Sequence, residues 1–156
     1  MMNRRSILHF ALGAFGAVNT KSRLFASEVA PQRSIVGAWH LLTVGAPVLH
    51  HGFLFHSDRT VCSFQADGGS ALDSESDGAG QWEWIGKNQV QAAFLEFRYS
   101  RETHEYLGYI RVNLIASLNE DAQTFTGQAH ARIYDAQGNL IAEATPALSA
   151  QRIPLH

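Results

Sequence analysis

The chain has 156 residues, 46% hydrophobic and 17% charged, with twelve Lys and Arg against fourteen Asp and Glu for a net charge of −2. The single cysteine, Cys62, rules out an intrachain disulfide and a cysteine-rich zinc or redox centre. A chain of this length builds one domain held by its own core.

In chain order, the first 26 residues stand apart. Arg4-Arg5 leads into an apolar run from Ile7 to Val18 and then to small residues around Ala26, the layout of an export signal. The order Asn3-Arg4-Arg5-Ser6-Ile7-Leu8 resembles the twin-arginine pattern, and Lys21 and Arg23 after the apolar run fit that route. The run is too short to span a bilayer, which argues against a permanent membrane anchor; the competing reading is an amphipathic first helix that the mature protein keeps. The expectation is an exported protein, periplasmic or secreted, whose folded domain is 27–156. Removing the signal takes four of the twelve basic residues and none of the fourteen acidic ones, leaving eight against fourteen and a net of −6. Without a basic stripe to displace counterions from phosphates, nucleic acid is a poor partner.

From there on the hydrophobic period is two. Strands are expected at 35–44, 51–57, 60–66, 80–86, 89–99, 106–118, 124–134 and 140–152. Ser57-Asp58-Arg59, Gly86-Lys87-Asn88, Asn119-Glu120-Asp121 and Asp135-Ala136-Gln137-Gly138-Asn139 separate them with residues that tolerate tight turns. The long connection 67–80, acidic and glycine-rich, reads as a flexible surface loop or lid. Eight hairpin-linked strands favour an all-β, eight-stranded antiparallel up-and-down barrel, since closure removes both exposed edges. A sandwich is the second option.

Gly37-Ala38-Trp39 on the first strand and Arg152 on the last resemble the signature of the calycin superfamily, the lipocalin-like and fatty-acid-binding-like barrels. That resemblance implies that the Trp closes one end of the barrel while the Arg lies across its ring. The physics holds without the name, because a guanidinium stacks on an indole face and its donors satisfy carbonyls at the barrel end. Phe55-His56-Ser57-Asp58-Arg59-Thr60, Gly80-Gln81-Trp82, Phe125-Thr126-Gly127 and Asp135-Ala136-Gln137-Gly138 extend the resemblance to small bacterial lipocalin-like proteins over nearly the whole mature chain. The departure is Arg59, where the family turn usually carries Gly.

The hairpin 106–134 has an apolar face of Ile110, Val112, Leu114, Ala116, Leu118, Phe125, Gly127, Ala129, Ala131 and Ile133, and a polar face of Tyr109, Arg111, Asn113, Gln128, His130, Arg132 and Tyr134. With the apolar face inward, Gly127, Ala129 and Ala131 fill little volume and leave a cavity for a small hydrophobic molecule. With the polar face inward, His130, Arg132, Arg111 and Tyr109 form a charged chamber capable of acid–base work. On strand 89–99 Val90, Ala92 and Phe94 share one side with Glu96 and Arg98, and Ala93, Leu95, Phe97 and Tyr99 occupy the other. Both sides are substantially apolar, which suggests a partner subunit and a homo-oligomer, unless a bulge near Glu96 flips the alternation. If Glu96 faces the cavity, burial raises its pKa towards a catalytic range. Of the aromatic residues, Phe53, Phe55, Trp84, Phe94 and Phe97 are the candidates for ligand contact.

Histidine invites a metal reading at His50, His51 and His56, but adjacent strand residues point to opposite faces and His51 and His56 have opposite parity, so no metal site is expected. His56 is expected to serve the Asp58 turn. Cys62 has no distinctive neighbour in the sequence, and a Gly-x-Ser-x-Gly elbow and a phosphate-cradling loop are absent. Two functions remain. One is an exported, cofactor-free barrel that binds a small hydrophobic molecule. The other is a small cofactor-independent isomerase, cyclase or hydratase/lyase using the same pocket, with Glu96, His130, Tyr109 and Arg111 as its candidate groups. A binder is expected to show at most one anchoring polar group in the cavity, an enzyme two or more convergent titratable ones.

Overall fold

A computed structural model describes residues 34–46, 48–65 and 69–154. The expected export signal, 1–26, lies outside the described residues. Ten strands run through the described part: β1 Gly37–Val44, β2 His50–Phe55, β3 Thr60–Phe64, β4 Asp73–Glu75, β5 Gly78–Trp84, β6 Gln89–Ser100, β7 Tyr106–Leu118, β8 Thr124–Asp135, β9 Leu140–Ala144 and β10 Ala147–Arg152. All pairings are antiparallel and follow the order β10-β1-β2-β3-β5-β6-β7-β8, with β10 also bonded to β8, so the sheet closes into an eight-stranded up-and-down barrel.

Two elements differ from the sequence expectation. The expected last strand, 140–152, is interrupted at Thr145-Pro146, because proline has no N–H to give to a ladder. The first half, β9, pairs with β8 through Ala131–Tyr134, and the second half, β10, pairs with β8 through Thr124–Gln128 while reaching β1 on its other edge. Inside the expected acidic loop, Asp73–Glu75 adds the short strand β4 to the end of β6. Its anchor is Asp73, which accepts from Ser70 Oγ and from the Arg98 guanidinium, with Arg98 Nε at 3.0 Å. Burial works to raise the Asp73 pKa, but the Ser70 and Arg98 bonds outweigh it and hold the carboxyl below its usual range.

Alternation in sequence becomes alternation in burial. On β7, Ile110, Val112, Leu114, Ala116 and Leu118 are buried while Arg111 and Ile115 are exposed. One end of the barrel is solid. Trp39 is fully buried, donates its indole N–H to the Ile35 carbonyl at 2.8 Å and meets Phe125 edge-on, with ring centres 4.8 Å apart. Phe55 packs edge-on against both Phe125 and Trp82, and the Trp82 N–H is satisfied by the His56 carbonyl at 3.0 Å. Trp39 and Arg152 are register partners, and the guanidinium carbon stands 4.3 Å from the indole centre. Gly37 makes room for this stack: its φ is +133°, and a Cβ there would lie 2.6 Å from Arg152 Nη1.

The turn at Arg59 keeps the shape that glycine would give it. Arg59 has φ 71°, in the left-handed region, and Asp58 Oδ1 accepts from the Thr60 N–H at 2.9 Å and the Thr60 hydroxyl at 2.7 Å. A side chain there is strained, so Arg59→Gly should raise the unfolding free energy by about 0.5–1 kcal/mol, the relief of strain exceeding the entropy glycine adds to the unfolded chain. Urea denaturation of the variant checks this, and an unchanged or lower midpoint would contradict it.

Candidate functional site

The other half of the barrel is hollow. A cavity of about 150 Å³ is walled by Leu41, Phe53, Phe94, Ile110, Val112, Leu114, Ala129, Ala131, Ile133 and Leu148, with Ala46, Val48, Ala144 and Pro146 towards one end. Its apolar wall follows from the inward-facing apolar side of β7 and β8. Ala129 and Ala131 supply the missing volume as the sequence suggests, but Gly127 does not: a Cβ at 127 would lie 2.2 Å from the Ile115 carbonyl, so that glycine lets β8 press onto β7.

Set into this wall is a polar group of Thr43, His51, Ser63, Gln65, Glu75 and Glu96. Glu96 continues the inward series Val90, Ala92, Phe94, and the irregularity in β6 falls later, between Arg98 and Tyr99. It is 6% exposed, and Ser63 Oγ donates to its Oε1 at 3.1 Å. Burial pushes its pKa up to about 7; the Ser63 bond opposes the shift, and the negative charges of Glu75 and Asp77 add to it. Glu75 is also raised, chiefly by burial, against the bond it accepts from Gln65 Nε2 at 3.1 Å. Gln65 Oε1 is buried and has no hydrogen-bond partner. His51 faces the Val48 carbonyl through Nε2 at 3.1 Å, and burial lowers its pKa, favouring the neutral ring.

The structure brings only some of the sequence candidates to this cavity. Phe53 and Phe94 meet edge-on in its wall, with ring centres 5.4 Å apart, and Glu96 stands beside them. Phe55 instead belongs to the solid end, because its neighbours Trp82 and Phe125 fill the space around it. Trp84 is 39% exposed beyond the inward run of β5, and Phe97 is 44% exposed on the outer side of β6 next to Tyr106, as strand parity requires once Glu96 points in. Tyr109, Arg111 and His130 all lie on the outer face, since the alternation that buries Ile110, Val112 and Ala129 turns them out. There Tyr109 stacks on Tyr134, His130 is 3.6 Å from Glu143, and Arg132 Nε is 3.1 Å from the same carboxylate. The charged chamber considered from the sequence is therefore an exterior surface.

Parity contained more than the sequence reading took from it. Thr43 shares its side with Leu41, His51 with Phe53, and Ser63 and Gln65 with Val61, so four of the missed polar residues sit at inward positions. Glu75 carried no such signal, because β4 lies in a segment without alternation. His50 turns outwards and its Nδ1 is 3.0 Å from His40 Nε2, as the opposed faces of adjacent strand residues demand. Cys62 does have a neighbour that the sequence did not reveal: His56 Nε2, 4.0 Å from its sulfur across the β2–β3 hairpin. Among the described residues, no three His, Cys, Asp or Glu side chains gather to hold a metal ion.

Comparison with family models, curated proteins and solved structures returns no match.

Proposed function

We propose that this is an exported calycin-like barrel that binds a small hydrophobic molecule in its cavity, the polar end of the guest resting on the Glu96 side. The observation that carries this reading is the hollow itself: about 150 Å³, mostly apolar in its lining and set above a solid aromatic floor. A void of this size holds a single benzene-sized ring and, where its walls are apolar, stays dry without a guest. The calycin assignment is supported by the closed barrel and by Arg152 lying over Trp39.

Native mass spectrometry of the purified chain tests it. A small co-purifying mass is expected, and Ala131→Leu, which puts a larger side chain into the void, is expected to abolish it while the far-ultraviolet circular dichroism of the barrel is retained. An empty wild-type barrel whose melting temperature no small apolar compound raises would overturn the reading.

A second reading rests on the three titratable residues in the lining, His51, Glu75 and Glu96, which favour cofactor-independent proton transfer. In that case Glu96 is the general acid–base, because a carboxyl near neutrality in a dry site can give a proton to a substrate oxygen and take one back from an adjacent carbon. His51, Glu75 and Glu96 each hold one bond, to Val48, Gln65 and Ser63, and Glu96 is chosen because it is the most buried of the three. A loss of kcat in Glu96→Gln well beyond its loss of guest affinity separates catalysis from carriage.

A further inference from the structure

The polar atoms of the cavity do not balance. The hydroxyls and the amide there donate within the protein: Thr43 Oγ1 to the Val48 carbonyl at 2.6 Å, Ser63 Oγ to Glu96, and Gln65 Nε2, through one of its two N–H groups, to Glu75. The Gln65 amide is oriented by Glu75, since a carboxylate needs a donor, and its oxygen is left buried with no partner. His51 must donate through Nε2 to reach a carbonyl, so in the neutral ring Nδ1 keeps a lone pair. The lining that remains is rich in acceptors: the carboxyl groups of Glu75 and Glu96 stand in the wall with the His51 ring, and the buried Gln65 amide oxygen beside them has no partner. Among the described residues no Lys or Arg lines the cavity, and the guanidinium of nearby Arg98 is bonded to Asp73.

Given the cavity reading above, on which this step rests, we propose that the guest is an organic amine, bound as its ammonium ion, with an apolar body about the size of one aromatic ring. A carbonyl or carboxylate on the guest meets lone pairs and leaves buried polar atoms unanswered, which is costly. A hydroxyl supplies one donor. An ammonium supplies three and adds the positive charge that the neighbouring carboxylates of buried Glu96 and half-buried Glu75 lack. The ring packs on Phe53 and Phe94 while the ammonium sits at Glu96 and Glu75. The excess of acidic residues over 27–156 draws cations towards the barrel.

Titration of the purified barrel by calorimetry with four ring-sized probes, benzylamine, benzyl alcohol, benzaldehyde and toluene, decides the matter. Benzylamine is expected to bind at least about tenfold more tightly than the other three at about pH 8, and to weaken towards about pH 6 as Glu96 takes up its proton. The charges facing Glu96 are those of Glu75 and Asp77, with the Asp73–Arg98 pair behind Glu75 and the His51 ring contributed by β2; none supplies a free cation that would invert the trend. Glu96→Gln and Glu75→Gln, both close in shape to the parent, should each weaken benzylamine by a much larger factor than toluene. Benzaldehyde binding as tightly as benzylamine, or benzylamine indifferent to both substitutions, overturns the amine assignment while toluene binding keeps the cavity reading standing. If none of the four binds, the cavity reading itself falls.

Discussion

Arg152→Ala should cost about 3 kcal/mol of unfolding free energy, measured by urea denaturation, the largest loss expected from any one charged side chain in the barrel. The guanidinium does four things at once. It donates to the carbonyls of Val36 at 2.8 Å, of Ala122 at 3.0 Å and of Ser34, and its plane covers Trp39. These contacts tie β10 to the segment entering β1 and to the β7–β8 loop, so the end of the chain is fastened to its beginning and its middle. A charge-assisted bond contributes about 1.5–3 kcal/mol net and a cation over an indole about 0.5–2 kcal/mol. The sum overstates the loss, because water reaches some of the released carbonyls and the energies do not add. Arg152→Lys should recover less than half, since an ammonium cannot fork to three carbonyls and cover a ring together. A loss below about 1 kcal/mol would mean that the ladder between β1 and β10 closes the barrel without help from the stack.

Glu96→Gln should act in the opposite direction. Folding raises the Glu96 pKa from its ordinary 4.5 to about 7, so the native state holds this proton more tightly than the unfolded chain does. Below the unfolded value both states are protonated and the full contribution is present. As pH rises through the window between 4.5 and about 7 it is progressively lost, and above that window the protein carries a buried charge. The penalty reaches about 3 kcal/mol at most. Glutamine retains the shape without the charge. The variant should therefore melt higher than wild type at mildly alkaline pH, with the two curves converging in mild acid. Glu75 contributes in the same sense. Asp58, Asp73, Asp121 and Asp135, all lowered, work the other way and withdraw their support only as pH falls into the acid range, so stability should be greatest in mild acid. Parallel melting curves for wild type and Glu96→Gln across this range would mean that Glu96 is charged and solvated in the native state.

How much of this was legible beforehand depended on period and parity. The pairing of Trp39 with Arg152 was readable through the resemblance to the calycin signature, and it in turn required a closed sheet, because it joins the first strand to the last. The inward turn of Glu96 followed from the same rule that buries Phe94, and so did the outward turn of Tyr109, Arg111, His130 and Phe97. The aromatic candidates divided for a reason that parity cannot express: Phe53 and Phe55 both point inwards, and only their height along the barrel, set by the shear of the sheet, decides that one lines the hollow and the other plugs it. Glu75 was out of reach, because β4 is made by Asp73, Ser70 and Arg98 finding one another in space and not by a pattern along the chain. The split of the last strand at Pro146 was visible as a proline, but its effect, two partners for β8, needed three dimensions.

The aromatic floor has a kinetic corollary. With Trp39, Phe55, Trp82 and Phe125 stopping one end, a guest of the proposed kind would enter and leave on the opposite side. A newcomer cannot push an occupant out from behind. Exchange of one molecule for another then proceeds at the pace of departure, and raising the concentration of the competitor will not hasten it.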